Sequence, residues 1–278
     1  MECNTSYGEW YEQILNVTNT EVHIIRNVDT CWYAWKIMDS LLWDSCQCSK
    51  HVYISIRVGD SDIHPVPLAR NFGCWFDSRL SMASHITKLF ASLFYPIYNI
   101  RWIRKYLSRQ STEILVLAFI TSRLDYCSGF LYGLPDCLLN KLQQVQNACT
   151  RLIFREHKFC HITPFIYELH WLPIKYRIEF KILLITFKIL IFLAPTYLSS
   201  LISLRLPSKY NLRNSSDNLL PSYPRFKSKA TLGDRSFTCA APKLWNALPF
   251  DVRSDSTVSI FKGKLKTHLF RHVLQVYS

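Results

Sequence analysis

Between Ile174 and Leu193 the chain reads IKYRIEFKILLITFKILIFL. It has neither the alternation of a half-buried strand nor the broad polar face of a surface helix. At about 100° per residue, Arg177, Lys181 and Lys188 fall in one narrow stripe and Lys175, Glu179 and Thr186 in a second. Almost every other position is Ile, Leu or Phe. A helix that is apolar nearly all round belongs inside a protein or inside a bilayer. The uncharged run is short, Lys188 interrupts it and Pro195 closes it, which argues against a membrane span. The stretch is therefore expected to be a central buried helix. His170-Trp171-Leu172-Pro173 leads into it, and the flanking helices must cover it.

The rest of the chain supplies those covers. Only 7 glycines among 278 residues, with no repeat, favour a helix-rich fold, and 49% hydrophobic residues exclude global disorder. The expected class is mainly α with a small antiparallel β unit (α+β). His51 to Val58 alternates as a strand, Gly59-Asp60-Ser61-Asp62 makes a turn, and Ile63 to Val66 returns. Ala69 to Asp77 reads as a further strand, giving a hairpin or a three-stranded unit. From Ser81 the period is helical towards Leu107, with a kink or break expected at Pro96. Ser111 or Thr112 is the expected cap of a following helix to about Tyr126. Leu138, Leu142, Val145, Cys149 and Leu152 define an amphipathic helix from about Pro135 to Phe154. Beyond the central helix come a short helix after Pro195, a polar basic loop over 206–230, a helix or turn around Pro242, and a last helix to about Val276.

Charge is spread unevenly along the chain. Residues 1–50 hold three basic and seven acidic side chains, and the remainder holds 30 basic against 13 acidic, within a formal total of +13. A basic body attracts phosphate polymers or anionic surfaces. The helix ending near Leu107 offers the sharpest candidate. Its pattern places Asn99, Ile100, Trp102, Ile103, Tyr106 and Leu107 on one side and Arg101, Arg104, Lys105 and Arg109 on the other. Most such basic faces are merely solvated. Most aromatic residues read as inward-facing, so base stacking gains no support from the pattern.

Other constellations favour bland readings. Cys46, Cys48 and His51, with Cys31 at a distance, lack the spacing of a structural zinc site. His157, Cys160 and His161 lie near Cys149, but Cys149 falls on the apolar stripe of its helix. His268 and His272 are one turn apart and lack the Glu of a metalloprotease helix. No metal site and no cofactor are expected, since a Gly-rich phosphate loop and a dinucleotide fingerprint are both missing. The acidic start, with Glu2, Glu9 and Glu12, does not resemble a secretory signal, and the 10 cysteines are scattered rather than spaced as a framework. Both features predict an intracellular chain with reduced thiols.

Ala69-Arg70-Asn71-Phe72-Gly73, then Phe76-Asp77-Ser78-Arg79-Leu80-Ser81, is similar to the block that follows the polymerase palm in LINE-type non-LTR retrotransposon reverse transcriptases of the jockey kind. The likeness continues in Thr121-Ser122-Arg123-Leu124-Asp125-Tyr126 and Leu142-Gln143-Gln144-Val145-Gln146-Asn147-Ala148. Leu169-His170-Trp171-Leu172-Pro173, Arg177-Ile178-Glu179-Phe180-Lys181, Ala241-Pro242-Lys243-Leu244-Trp245-Asn246 and Ile260-Phe261-Lys262 extend it in the family's order. Coverage runs from about residue 52 to the end, while residues 1–50 match nothing familiar. The resemblance implies primer-grip strands over 70–77, with Phe72 and Gly73 at the grip. It also implies a helical thumb over 81–160 and the family's C-terminal region over 161–278. Phe72 stands where the family usually has Leu.

By the same resemblance, polymerisation would need aspartates holding two metal ions about 4 Å apart. No Asp-Asp pair occurs in the chain, and Asp60 and Asp62 read as turn residues. The resemblance therefore implies a truncated, non-catalytic part of a reverse transcriptase that binds template–primer duplex through phosphate contacts. The alternatives are a protein-interaction remnant packing on a separate polymerase core, and an inert product. Purified protein is expected to incorporate no deoxynucleotide on a primed RNA template with magnesium or manganese. Incorporation above background, lost on replacing Asp60 and Asp62 by Ala, would contradict that.

Overall fold

A computed structural model describes residues 56–58, 61–63, 66–71, 73–202, 221–222 and 233–277 of the chain. The described chain is mainly helical, with two small antiparallel β pairs. β1 (Ile56–Val58) pairs with β2 (Ser61–Ile63), Ile56 opposite Ile63. β3 (Leu68–Asn71) pairs with β4 (Cys74–Asp77), Leu68 opposite Asp77 and Asn71 opposite Cys74. The expectation of one strand from Ala69 to Asp77 is thus corrected to a hairpin that reverses between Asn71 and Cys74. Gly73 has φ +78°, a conformation that side chains with a Cβ rarely adopt.

Helices follow. Before the first, the Asp77 carboxylate accepts the Ser81 N–H at 2.7 Å, and the Trp75 N–H donates to His85 Nδ1 at 3.4 Å. Burial pushes the His85 imidazole below its ordinary pKa, which keeps it neutral and able to accept. α1 (Ala83–Ile103) runs unbroken through Pro96. The expected break is absent because the carbonyl deprived of its partner, that of Ser92, lies on an exposed turn where water can serve it. A 3-10 turn (Arg104–Tyr106) then leads to α2 (Arg109–Val116). Its cap is Ser108, whose Oγ accepts the Ser111 N–H at 3.0 Å, rather than Ser111 or Thr112. A π-helical turn (Leu117–Thr121) joins α2 to α3 (Ser122–Asp125). There follow α4 (Asp136–Phe154), α5 (Thr163–Glu168) and α6 (Ile174–Leu190). The last four are α7 (Thr196–Ser199), α8 (Phe237–Ala247), α9 (Phe250–Arg253) and α10 (Val258–Tyr277).

The chain divides into two compact units between Glu179 and Phe180, within α6. In the unit preceding that point, α1 and α2 both pack on α4. Leu93, Ile97 and Ile100 are buried on α1, and Leu142, Val145, Cys149 and Leu152 on α4. Leu139 takes the inward place expected of Leu138, which is half-buried. The unit extends beyond residue 160 because two glutamine side chains of α4 hold the entry to α6. Gln146 donates Nε2 to the Leu172 carbonyl at 2.9 Å, and Gln143 Oε1 accepts the Ile174 N–H at 2.9 Å.

In the second unit, α6 contributes Phe187, whose ring stacks on Phe261 at 4.1 Å and 4°. Trp245 lies 6.2 Å from Phe187 and 5.7 Å from Phe261, and all three side chains are fully buried. The expected burial of the central helix is what α6 shows: from Tyr176 to Leu190 no residue is exposed. It ends at Leu190 rather than Leu193 because Phe192 turns left-handed (φ +57°) and the Leu193 N–H returns to the Lys188 carbonyl at 2.9 Å. Among the described residues, no helix is long and apolar enough to cross a membrane.

Ile182 is fully buried and Leu184 half-buried. Ile182→Asp is expected to cost several kcal/mol by burying an unpaired carboxylate, and Leu184→Asp much less. Melting followed by circular dichroism checks this; an unchanged Ile182→Asp transition would mean the core is misplaced.

Candidate nucleic-acid interface

The four basic residues singled out on and after α1 do not share one face. Inward positions on α1 run Leu93, Ile97, Ile100, and the next step in that series is Arg104, which is 8% exposed. Its Nε donates to the Leu152 carbonyl at 2.9 Å, Nη2 to the Ile153 carbonyl at 2.7 Å and Nη1 to the Leu107 carbonyl at 2.8 Å. Leu152 and Ile153 lie in the last turn of α4, where carbonyls have no helical partner and the helix dipole favours a cation. Arg155, from the same helix end, donates Nη2 back to the Arg104 carbonyl at 3.1 Å. Burial first, and the Arg155 charge second, lower the Arg104 pKa from its ordinary value, yet a guanidinium stays charged. Arg104 is therefore removed from the candidate interface: it is a buried clasp between α1 and α4.

Arg101 and Lys105 are exposed, and Lys105 Nζ lies 4.7 Å from the Tyr106 ring centroid. Arg109 is also exposed but engaged. Its guanidinium pairs with Glu168 at 2.6 Å and covers the Phe154 ring at 4.0 Å. An exposed pair of this kind contributes little and can exchange for another anion. With Arg104 facing inward, the side opposite the core carries Tyr98, Trp102 and Tyr106, exposed by 58%, 69% and 78%. Trp102, Ile103 and Tyr106 were expected inward on hydrophobicity, and the structure corrects that. The hydrogen-bond demand of two carbonyls at the end of α4 and of the Leu107 carbonyl outweighs burial of those rings.

The stretch of chain that carries them is devoid of acid. Between Asp77 and Glu113 no acidic residue occurs, while Arg79, Lys88, Arg101, Arg104, Lys105 and Arg109 do. Lys88 Nζ sits 3.1 Å over the Trp75 ring, with the Arg70 guanidinium 5.8 Å from it. Tyr98 and Trp102 lie edge to face, centroids 6.4 Å apart at 62°. Cations thus lie beside rings near both ends of α1. The legible signal was the four-residue spacing of Tyr98, Trp102 and Tyr106 within an acid-free run.

Of the grip pair, Phe72 lies outside the described residues. Gly73 is exposed and approaches Tyr126 so closely that a Cβ there would meet its ring at 3.3 Å. Among the described residues no group of three His, Cys, Asp or Glu is placed to hold a metal ion. Burial pushes the Cys149 thiol up to about 12, which deprives His157, Cys160 and His161 of a thiolate partner there. His268 and His272 contact each other edge to face at 4.8 Å. Cys31, Cys46, Cys48, His51 and Asp60 lie outside the described residues. Cys74, Cys137, Cys149 and Cys160 are free thiols. Comparison with family models, with curated proteins and with solved structures finds no match for this chain.

Arg104→Met takes the donor from the Leu152 and Ile153 carbonyls and is expected to cost about 3 kcal/mol, whereas Arg101→Met stays within about 0.5 kcal/mol. Urea denaturation of both variants measures the difference, and equal midpoints would show that Arg104 is not buried.

Proposed function

We propose that this chain is a non-catalytic piece derived from a LINE-type reverse transcriptase and that it binds nucleic acid, without sequence preference, through phosphate contacts. One observation carries the binding: an acid-free stretch of chain turns Arg101 and Lys105 outward on one helical surface. Backbone charge dominates non-specific affinity, and a stretch with no carboxylate of its own suits it. The kinship rests on the ordered sequence blocks. It gains support from where they meet: Gly73 against Tyr126, Asp125 paired with Arg177 at 3.3 Å, and Gln143 and Gln146 on Ile174 and Leu172. No catalytic residues, metal or cofactor belong to this reading. The free thiols fit an intracellular setting.

A second reading is favoured by the same exposed rings, since Trp, Tyr and Arg also make the anchors of protein interfaces. In that case α1 packs on a separate polymerase core.

Binding of labelled duplexes of unrelated sequence across a salt series separates the two. Each neutralised phosphate contributes about −0.9 to the slope of log affinity against log salt for B-form DNA. Arg101→Gln with Lys105→Gln is expected to shrink that slope by up to about 2. Lys243→Gln with Arg271→Gln, both exposed and on other helices, removes the same charge and should leave the slope near that of the parent. Equal losses in both variants would mean that only net charge attracts the duplex. No binding by the parent would leave the protein-packing reading.

A further inference from the structure

We infer that the row Tyr98, Trp102 and Tyr106 on α1 and the 3-10 turn after it receives unpaired bases of a single-stranded nucleic acid, while Arg101 and Lys105 hold its phosphates. The inference rests on the phosphate-binding reading above and adds to it the kind of strand. The rings follow one another at single-turn spacing, on the side of the helix opposite Leu93, Ile97, Ile100 and Arg104. Tyr98 and Trp102 meet only edge to face, with centroids at 6.4 Å, and all three rings are exposed. Each of the three therefore leaves much of its surface to solvent, which a partner with flat apolar faces would cover.

Charge decides which partner that is. An apolar protein patch would gain from the rings but nothing from Arg101 and Lys105, and the run from Ser78 to Thr112 contains no acid to attract a basic one. A polyanion is complementary to this side. Among polyanions, a duplex keeps its base faces stacked inside and offers exposed rings only sugar and phosphate. Unpaired strands present a π-face at every base, and proteins that hold them set aromatic platforms between cations. Lys105 close to the Tyr106 ring, and Arg101 beside Tyr98 and Trp102 in sequence, repeat that arrangement along one helix.

The test compares three labelled ligands on the full chain: oligothymidylate of about 12 nucleotides, within usual single-strand site sizes, an abasic phosphodiester of the same length, and a duplex. Oligothymidylate is expected to bind about tenfold or more tightly than the abasic strand. Tyr98→Ala with Trp102→Ala should bring it down to the abasic level and leave abasic and duplex binding unchanged. Tyr98→Phe with Trp102→Phe, which keeps the rings, should retain most of the affinity. Equal, salt-sensitive binding of oligothymidylate and abasic strand would overturn base stacking while leaving the phosphate reading intact. Failure to bind all three ligands would remove the phosphate reading and this inference with it. If the double Ala variant binds every ligand as the parent does, the row is a face for another protein and the inference is wrong.

Discussion

Arg104 places its guanidinium among the carbonyls of Leu107, Leu152 and Ile153, and much of the first unit's surface follows from that contact. Its partners are carbonyls rather than a carboxylate, and the partial negative charge at the end of α4 serves instead. Planar fork geometry lets one side chain satisfy carbonyls on two segments with fixed directions, which the point charge of a lysine lacks. Once Arg104 is inside, the rotation of α1 is set. Ile97 and Ile100 must face α4, and Trp102 must face away. Arg155 reinforces the clasp from the opposite direction by donating to the Arg104 carbonyl.

The second unit depends on a different device. Phe187, Trp245 and Phe261 bring together three helices around one aromatic cluster with no polar atom to satisfy except the indole N–H. Charged groups on α6 feel that burial. Lys188 has its pKa lowered by desolvation and then by Lys262. Glu179, on the other half of the helix, has its pKa raised by desolvation, which Lys175 partly offsets. Both shifts fit a helix that is covered along nearly its whole length.

Much of this fold could be read directly from the residues. α6 was legible because charge occurs on it only in narrow stripes, and α4 because Leu142, Val145, Cys149 and Leu152 keep a 3.6-residue period. Other elements left weaker signals. Pro164 sits in the first turn of α5, a position that helices accept, but six residues are too few to show a helical period. The π turn at Leu117–Thr121 has no compositional mark of its own. The candidate surface was half legible: Arg101 and Lys105 were expected outside and are outside. Arg104 could not be placed, because the pattern treats every guanidinium as solvated and every indole as buried. Only the orphan carbonyls at the far end of α4, distant in sequence, reverse that assignment.

The side of α1 turned out by Arg104 is claimed both to be open and to be the place where nucleic acid lies. Hydroxyl-radical footprinting of the full chain, read by mass spectrometry with and without saturating oligothymidylate, addresses both halves at once. Tyr98, Trp102 and Tyr106 are expected to react readily in the free chain and to be protected in the complex, while buried Trp245 and Phe261 stay unreactive throughout. Rings that are already protected without ligand, or equally reactive with it, would contradict the account.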